Sequence, residues 1–248
     1  MRIVVPMAGG DAAFVARGFP WAKPLIEIDG RPLVEHAYEP LRALGAAGPV
    51  FVIRKDDDLR FHLGDVLRLL APDATVLHAA GETAGAACTV LLAIEHIDLQ
   101  GELLIANADQ VLDFDLGAAI ASFRERGLDA GTIVFDSIHP RWSYVRLDAD
   151  GLVVEAAEKR PISRSATAGV YWFARGADFV AAAQAMIRKG GAHRDGYFVC
   201  PAFNEMILAG RRIGVVEVAR ERYVSLATPQ AVEDYVETLK ERRRTRAA

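Results

Sequence analysis

The chain opens with the apolar run Ile3-Val4-Val5-Pro6-Met7-Ala8-Gly9-Gly10, which passes from β-branched residues into small ones. A short apolar run that ends in proline and glycine is typical of a buried strand. Small residues after a strand let the backbone approach a ligand, and successive N–H groups can hold a phosphate. The stretch contains neither the Gly-x-Gly-x-x-Gly motif nor the Gly-Lys-Ser/Thr of a Walker loop, so an ordinary strand-to-loop turn stays an alternative.

Outward from this strand, short apolar runs alternate with helical patterns as far as about residue 130. Strands are predicted at 50–53, 75–77 and 103–105, and helices at 32–44, 56–70, 85–94 and 115–126, the last capped by Asp115. This alternation predicts an α/β fold whose mostly parallel sheet carries helices on both faces. In such sheets, ligands bind beyond the carboxyl ends of the strands.

The pattern changes in the second half of the chain, where antiparallel pairing is predicted. Strands are expected at 133–135, 144–147, 152–154 and 169–173, and helices at 177–187, 201–208 and 229–244. The turn Asp148-Ala149-Asp150-Gly151 predicts a hairpin between two of these strands. Because no linker or repeat interrupts the chain, we predict a single domain over residues 1–248, with halves at 1–130 and 131–248.

Composition excludes several classes of protein. Two cysteines, Cys88 and Cys200, in 248 residues exclude a disulfide scaffold and a cysteine-based zinc site. The formal net charge of −4 argues against nucleic acid as the main partner. No run approaches the roughly 20 apolar residues that span a bilayer, and the first one is too short for a signal peptide, so we expect no membrane insertion and a cytoplasmic protein.

Two charged residues, Lys23 and Asp109, lie at positions from which they could bind a phosphate group or its metal ion. Lys23 lies between apolar residues and beside Pro24, so its ammonium group could reach a phosphate as a point charge. Asp109 follows the predicted strand 103–105, and a carboxylate at that end of a strand is a natural Mg²⁺ ligand. The alternatives are a surface lysine and a turn-forming or capping aspartate.

Two further segments suit ligand binding. Residues 81–87 read Gly-Glu-Thr-Ala-Gly-Ala-Ala before a predicted helix, which suits a flat base or an anionic group, although a tight packing loop has the same composition. The residues Glu158, Lys159 and Arg160 follow the hairpin. An acid beside two bases can hold hydroxyls and phosphate together, but such triplets also occur in solvated loops.

Taken together, these segments resemble the sugar-nucleotide pyrophosphorylase superfamily of nucleotidyltransferases over nearly the whole chain. The similar segments, in order, are residues 3–9, 23–26, 85–93, 104–110, 142–144, 157–163, 168–171 and 197–205. The segments 85–93 and 104–110 are most similar to a subgroup from capsule and surface-polysaccharide loci, which includes CTP:phosphoglutamine cytidylyltransferase-like proteins.

The resemblance implies a Rossmann-like, GT-A-like fold and a reaction. A nucleoside triphosphate, here CTP by subgroup, would react with a phosphorylated sugar or small molecule to release pyrophosphate and an activated polysaccharide precursor. Half 1–130 would bind the nucleotide and half 131–248 the acceptor, and a homo-oligomer stays open. Lys23 and Asp109 would be catalytic, with Asp109 holding Mg²⁺. The implied nucleotide contacts are Met7, Ala8, Gly9, Gly10, Thr83, Gly85, Ala86 and Asn107, and the implied acceptor contacts are Tyr144, Glu158, Lys159, Gly169, Tyr171, Asn204 and Glu205.

The sequence departs from this family at three positions. The family loop continues Gly-x-Gly-x-Arg, whereas Asp11 replaces the second glycine here and Ala13 replaces the arginine. Ser225 stands where a second metal carboxylate is often found. Arg17, one helical turn beyond Ala13, is a candidate replacement cation.

These departures keep two other hypotheses open. One is a catalytically impaired protein that binds nucleotide or sugar phosphate. The other is a GT-A-like glycosyltransferase, for which Asp113-Phe114-Asp115 would be the Asp-x-Asp metal motif, although its position favours helix capping.

Overall fold

A computed structural model describes residues 1–46, 48–191 and 196–247. The strands are β1 (Arg2–Met7), β2 (Glu27–Ile28), β3 (Arg31–Pro32), β4 (Val50–Arg54), β5 (Thr75–Ala79), β6 (Leu103–Ala106), β7 (Gln110–Leu112), β8 (Ala130–Asp136), β9 (Ser143–Leu147), β10 (Val153–Glu158), β11 (Ser165–Phe173), β12 (Ile213–Glu217) and β13 (Tyr223–Ser225). The helices are α1 (Ala12–Ala16), α2 (Leu33–Arg42), α3 (Lys55–Phe61), α4 (Leu63–Leu70), α5 (Ala86–Leu91), α6 (Leu116–Glu125), α7 (Gly176–Arg188), α8 (Ala202–Leu208) and α9 (Pro229–Ala247). Short 3₁₀ turns lie at Lys23–Leu25, Ile94–His96 and Arg220–Arg222.

A nine-stranded mixed sheet forms the centre of the molecule. Its main path runs β10-β9-β11-β6-β1-β4-β5, while β8 pairs with β11 and with β12. Strands β6, β1, β4 and β5 are parallel to one another, and β9, β10, β11 and β8 pair in antiparallel fashion. The predicted α/β fold with a mostly parallel, mixed sheet is confirmed.

The central strands are apolar throughout because helices cover both faces of the sheet. Successive residues of β1 point to opposite faces, so Ile3 and Val5 lie in one core cluster and Val4 in the other. All four residues of β6 are buried. Each large aliphatic side chain buried in this way contributes about 1.5–3 kcal/mol to folding. The sheet therefore gives its strand ends a rigid position.

Local conformation differs from the sequence expectation in several places. The helix predicted at 56–70 is wrong as a single helix, because His62 adopts a left-handed conformation (φ 53°) and separates α3 from α4. The short strands β7, β12 and β13 were not predicted. The cap of α6 is confirmed, since Asp115 Oδ1 accepts a hydrogen bond of 2.9 Å from the backbone N–H of Ala118. Within the residues described, no helix is both long and apolar enough to cross a membrane.

Candidate active site

A cavity of about 560 Å³ lies where the carboxyl ends of β1, β4 and β6 meet. Because parallel strands end at the same edge of a sheet, the loops that follow them share this space. It is lined, among others, by Met7, Gly9, Gly10, Asp11, Lys23, Arg54, Asp57, Glu82, Thr83, Gly85, Ala86, Asn107, Asp109, Lys159, Phe198 and Ala227. The structure thus brings together the tip of the first strand and the aspartate after β6, as the sequence predicts.

An ion pair between Lys23 and Asp109 lies in this cavity. Lys23 Nζ is 2.8 Å from Asp109 Oδ2, and the two side chains are 24% and 21% exposed. Lys23 is in the first 3₁₀ turn and Asp109 in the bend between β6 and β7. Each group neutralises the other in the absence of ligand, and both stay open to one.

The segment around Ser225 holds the backbone of Asp109. Strand β13 pairs with β7, with Ser225 opposite Gln110, and the N–H of Leu226 donates to the carbonyl of Asp109 at 2.7 Å. Burial raises the pKa of the Tyr223 phenol, and the nearby negative charge of Asp109 raises it further. The position that lacks the expected carboxylate is therefore a neighbour of Asp109.

A second, smaller cavity of about 160 Å³ adjoins the first. Its polar lining includes Arg141, Ser143, Glu158, Thr167, Tyr171 and Ser225, together with Gly169. Both cavities are lined by Ala86, Asn107, Asp109, Phe198 and Ala227. Asp109 therefore lies at the junction of two spaces, one large and one small.

Hydroxyl groups dominate the lining of the smaller cavity, together with the carboxylates of Glu158 and Asp109. Glu158, only 9% exposed, accepts a hydrogen bond of 2.5 Å from Ser143 Oγ. The hydroxyls of Thr167 and Tyr171 lie 2.9 Å apart. Burial raises the pKa of Tyr171 well above its usual value, so the phenol stays neutral and can donate a hydrogen bond. Such a set suits a ligand that carries several hydroxyls.

Gly85 shapes the wall of the larger cavity. Its φ of 107° is a conformation that favours glycine, and a Cβ there would collide with the backbone of Tyr197. The N–H of Tyr197 donates to Ala84 O at 2.7 Å. This close contact between the two backbone segments is possible because residue 85 has no Cβ. Thr83 Oγ1 donates to the carbonyl of Gly85 at 3.1 Å, which fixes the side chain beside the cavity.

An acidic group of residues surrounds Arg54 at one end of the larger cavity. Arg54 is paired with Asp57 (Nε–Oδ2 2.8 Å) and with Asp11 (Nη2–Oδ2 2.9 Å). The carboxylate that Asp11 adds to the loop is therefore paired, although it shares the single positive charge of Arg54 with Asp57. Sequence reasoning missed Arg54, although its place at the end of the second parallel strand is a signal that could have identified it.

The two positions considered for the loop cation lie elsewhere. Arg17 is exposed and paired with Glu233 at 3.0 Å, so the suggestion that it replaces the missing arginine is wrong for this structure. Ala13 lies on the exposed side of α1. Neither Arg17 nor Ala13 is among the residues that line either cavity.

Four residues implied by the resemblance are not among those that line the two cavities. Ala8 is fully buried beneath the loop, and the buried Tyr144 donates its hydroxyl to His139 O at 2.6 Å. Asn204 bonds both backbone groups of Ala156, and Glu205 pairs with Lys189 at 2.7 Å. The expected side-chain contacts of Tyr144, Asn204 and Glu205 with the acceptor therefore do not fit this geometry, whereas the backbone contact expected of Ala8 stays a prediction.

The Asp-x-Asp interpretation does not fit either. Asp115 caps α6, and Asp113 pairs with Arg222 at 3.3 Å while its side chain is 71% exposed. Neither aspartate lines the two cavities described above. The glycosyltransferase hypothesis therefore loses the motif on which it rested.

The donor set at Asp109 fits a magnesium ion that also binds phosphate. Residues 1–46, 48–191 and 196–247 contain no group of three or more His, Cys, Asp or Glu side chains placed to enclose a metal. Mg²⁺ needs no such group, because it usually takes one or two protein carboxylates and completes its shell with substrate phosphates and water. Asp109, partly exposed at the junction, meets that requirement, with Lys23 on the same carboxylate.

Comparison with known proteins agrees with this geometry. The sequence model of the MobA-like NTP transferase domain matches residues 5–150, more than half of the chain. The chain is 26% identical over 202 residues to UTP–glucose-1-phosphate uridylyltransferase AglF of Haloferax volcanii, covering 79% of each protein. The crystal structure of a nucleoside-diphosphate-sugar pyrophosphorylase from Vibrio cholerae matches with a TM-score of 0.84 at 25% identity, covering 95% of this chain and 99% of that one.

The family match spans β1, the glycine loop, Lys23 and Asp109, which are the elements that build the larger cavity. The chain therefore belongs to the family of MobA-like NTP transferase domains, and it is a nucleotidyltransferase.

Proposed function

We propose that this enzyme transfers a nucleotidyl group from a nucleoside triphosphate to a sugar phosphate and releases pyrophosphate. One observation carries the proposal: Asp109, paired with Lys23, lies at the junction of a large cavity and a small hydroxyl-lined one. The triphosphate fits the larger space and the acceptor the smaller one, so their reacting phosphates would meet at Asp109. The names of the Haloferax and Vibrio relatives support a sugar phosphate as acceptor.

The reaction needs positioning and charge neutralisation more than a strong base. An acceptor phosphate oxygen, already deprotonated at neutral pH, attacks the α-phosphorus in line. An oxygen–phosphorus bond forms, the bond to the bridging oxygen breaks, and its electron pair leaves with pyrophosphate. Mg²⁺, when bound, would neutralise charge on the phosphate oxygens.

In this proposal, Lys23, Asp109 and the loop at Gly9 and Gly10 bind different parts of the nucleotide and its metal ion. Lys23 would exchange its contact with Asp109 for an α-phosphate oxygen, and Asp109 is the carboxylate that would hold the metal. The backbone N–H groups around Gly9 and Gly10 approach the phosphates, because neither glycine has a side chain in the way. Both lie at the exposed rim of the cavity.

The acceptor would be held at the smaller cavity. Glu158 and the hydroxyls of Ser143, Thr167 and Tyr171 offer acceptors and donors for sugar hydroxyls. Lys159, whose Nζ lies 5.3 Å from the centre of the Phe198 ring, lines the larger cavity and brings a positive charge near the acceptor phosphate.

Three finer features belong to the same proposal. The subgroup resemblance supports CTP as nucleotide, whereas the Haloferax relative is named for UTP, so both head the list of substrates to compare. The product is an activated sugar of the kind that capsule and surface-polysaccharide synthesis consumes. We place the reaction in the cytoplasm, where nucleoside triphosphates are available.

The test is release of pyrophosphate from each of the five common nucleoside triphosphates with Mg²⁺ and a panel of sugar 1-phosphates, followed by identification of the nucleotide sugar. Activity should need all three components and should disappear when Mg²⁺ is chelated. A well-folded sample that binds a triphosphate but releases no pyrophosphate across a broad panel would contradict transfer. That outcome would favour a protein that only binds its ligand.

A further inference from the structure

Arg54 is a cation that contacts the loop from which the family arginine is missing. It ends β4, which pairs in parallel with β1 so that Ile53 lies opposite Met7. Arg54 therefore comes one residue after that pair, beside the loop that follows β1. It contacts Asp11 of that loop directly and lines the larger cavity.

The guanidinium of Arg54 is held through Nε and Nη2, which leaves Nη1 facing the cavity side of the group. Asp57, whose side chain is 8% exposed, accepts two hydrogen bonds of 2.8 Å from Nε and Nη2. Nη1 makes no hydrogen bond to any of the residues that the structure describes, since Glu82 Oε1 lies 3.8 Å away. A planar guanidinium that Asp57 fixes through two hydrogen bonds holds its remaining N–H donors in a rigid fork, which is the geometry that suits a phosphate.

Asp11 competes for the same guanidinium. Its carboxylate is 2.9 Å from Nη2 and its side chain is only 15% exposed, so the two residues form an ion pair in the ligand-free protein. A triphosphate that took Nη2 as well as Nη1 would displace Asp11, because both anions would need the Nη2 donor. Asp57 would stay in place, since it is more deeply buried and bonded through two parallel contacts.

We propose that Arg54 binds the β- and γ-phosphates of the nucleoside triphosphate, with Asp57 as its positioning residue and Asp11 as a competing anion. The proposal rests on the proposed function, because it needs a triphosphate in the larger cavity. It supplies from β4 the cation that position 13 lacks. It also predicts how this enzyme distinguishes a triphosphate from a monophosphate.

The experiment compares equilibrium binding of a triphosphate and its monophosphate, both with Mg²⁺, by calorimetry. CTP and CMP are the first pair, and UTP and UMP the second. Arg54→Gln should weaken triphosphate binding about 10- to 100-fold, the range for charge-assisted hydrogen bonds, while monophosphate binding stays within about threefold. Asp11→Asn should strengthen triphosphate binding, because it frees Nη2. Arg17→Gln, an exposed arginine outside the cavity, is the matched control and should leave both affinities unchanged.

A buried, unpaired Asp57 in Arg54→Gln could unfold the protein, so Arg54→Gln with Asp57→Asn is measured as well. The double variant should show the same selective loss for the triphosphate. Equal losses for triphosphate and monophosphate would assign Arg54 to structure and overturn the inference. An Arg54→Gln variant that binds the triphosphate as tightly as the wild type would also overturn the inference. In either case, pyrophosphate release by the wild type would leave the proposed function standing. If the wild type binds no triphosphate, the proposed function fails first.

Discussion

Replacing Asp109 by asparagine keeps the shape of the side chain and removes its charge. The lost ion pair with Lys23, at 2.8 Å, has a raw Coulomb energy of about 6 kcal/mol at an effective dielectric of 20. Both side chains are more than a fifth exposed, so screening and the cost of desolvation reduce the net contribution to about 1 kcal/mol. Folding stability should therefore change little.

Activity should respond very differently to the same substitution. If Asp109 holds the metal where the two cavities meet, its charge acts on phosphate oxygens in the transition state. Losing a contact of that kind costs about 3–4 kcal/mol, which is a loss of about 100- to 1000-fold in kcat/KM. The melting temperature should fall by only about 2–4 °C, the shift that 1 kcal/mol gives in a chain of this size.

The assay is steady-state pyrophosphate release with varied Mg²⁺, paired with a thermal melt of each sample. Lys23→Met is the companion variant, because it removes the other charge of the pair. A loss in Asp109→Asn of less than about tenfold, with an unchanged melt, would refute the metal role of Asp109. A melting temperature that falls as steeply as the activity would show that the residue is structural.

Three other substitutions test separate parts of the interpretation. Ser225→Asp places a carboxylate beside Asp109 and should raise the affinity for Mn²⁺ in the presence of nucleotide about tenfold, since Mg²⁺-type sites take one or two carboxylates. Titration calorimetry measures this affinity, and an unchanged value would show that position 225 does not share a metal site with Asp109. Asn204→Ala removes two hydrogen bonds to Ala156 and should cost about 2 kcal/mol in urea unfolding with no change in the KM of the acceptor; a raised KM would return Asn204 to the acceptor site. The hydrogen bond from Arg124 lowers the pKa of Glu102, so its contribution is present above the unfolded pKa of about 4.3 and is lost as the pH falls through the lowered one. Glu102→Gln should therefore cost about 0.5–1 kcal/mol at pH 7 and progressively less below pH 4, whereas a constant difference would contradict the linkage.

The sequence predicts the parts of the site that depend on strand ends. Buried strands of four to six residues stand out in the sequence, and the rule that parallel strands share an edge brings the loop after β1 near Asp109. Lys23 and Asp109 were identified from their local sequence, and they form an ion pair in the structure. For these residues, the local sequence and the rule for parallel strands are sufficient to predict that they belong to one site.

The rest depends on contacts between distant segments. The interaction of Asp11 with Arg54 joins loops after two different strands, so Asp11 looked like an unbalanced charge. Strands β7 and β13 have three residues each and pair across more than 100 residues, which leaves no periodicity to detect. Asn204 looks like a ligand-binding amide in the sequence, yet the backbone of β10 takes both its donor and its acceptor.

The most direct measurement is a crystal structure with Mn²⁺ and a non-hydrolysable analogue of the triphosphate that binds. We expect the anomalous peak of the metal between Asp109 and the phosphates, with the base and ribose in the larger cavity and the smaller one open to the acceptor. A nucleotide bound outside that cavity, or a metal peak with no contact to Asp109, would contradict the proposed reaction geometry.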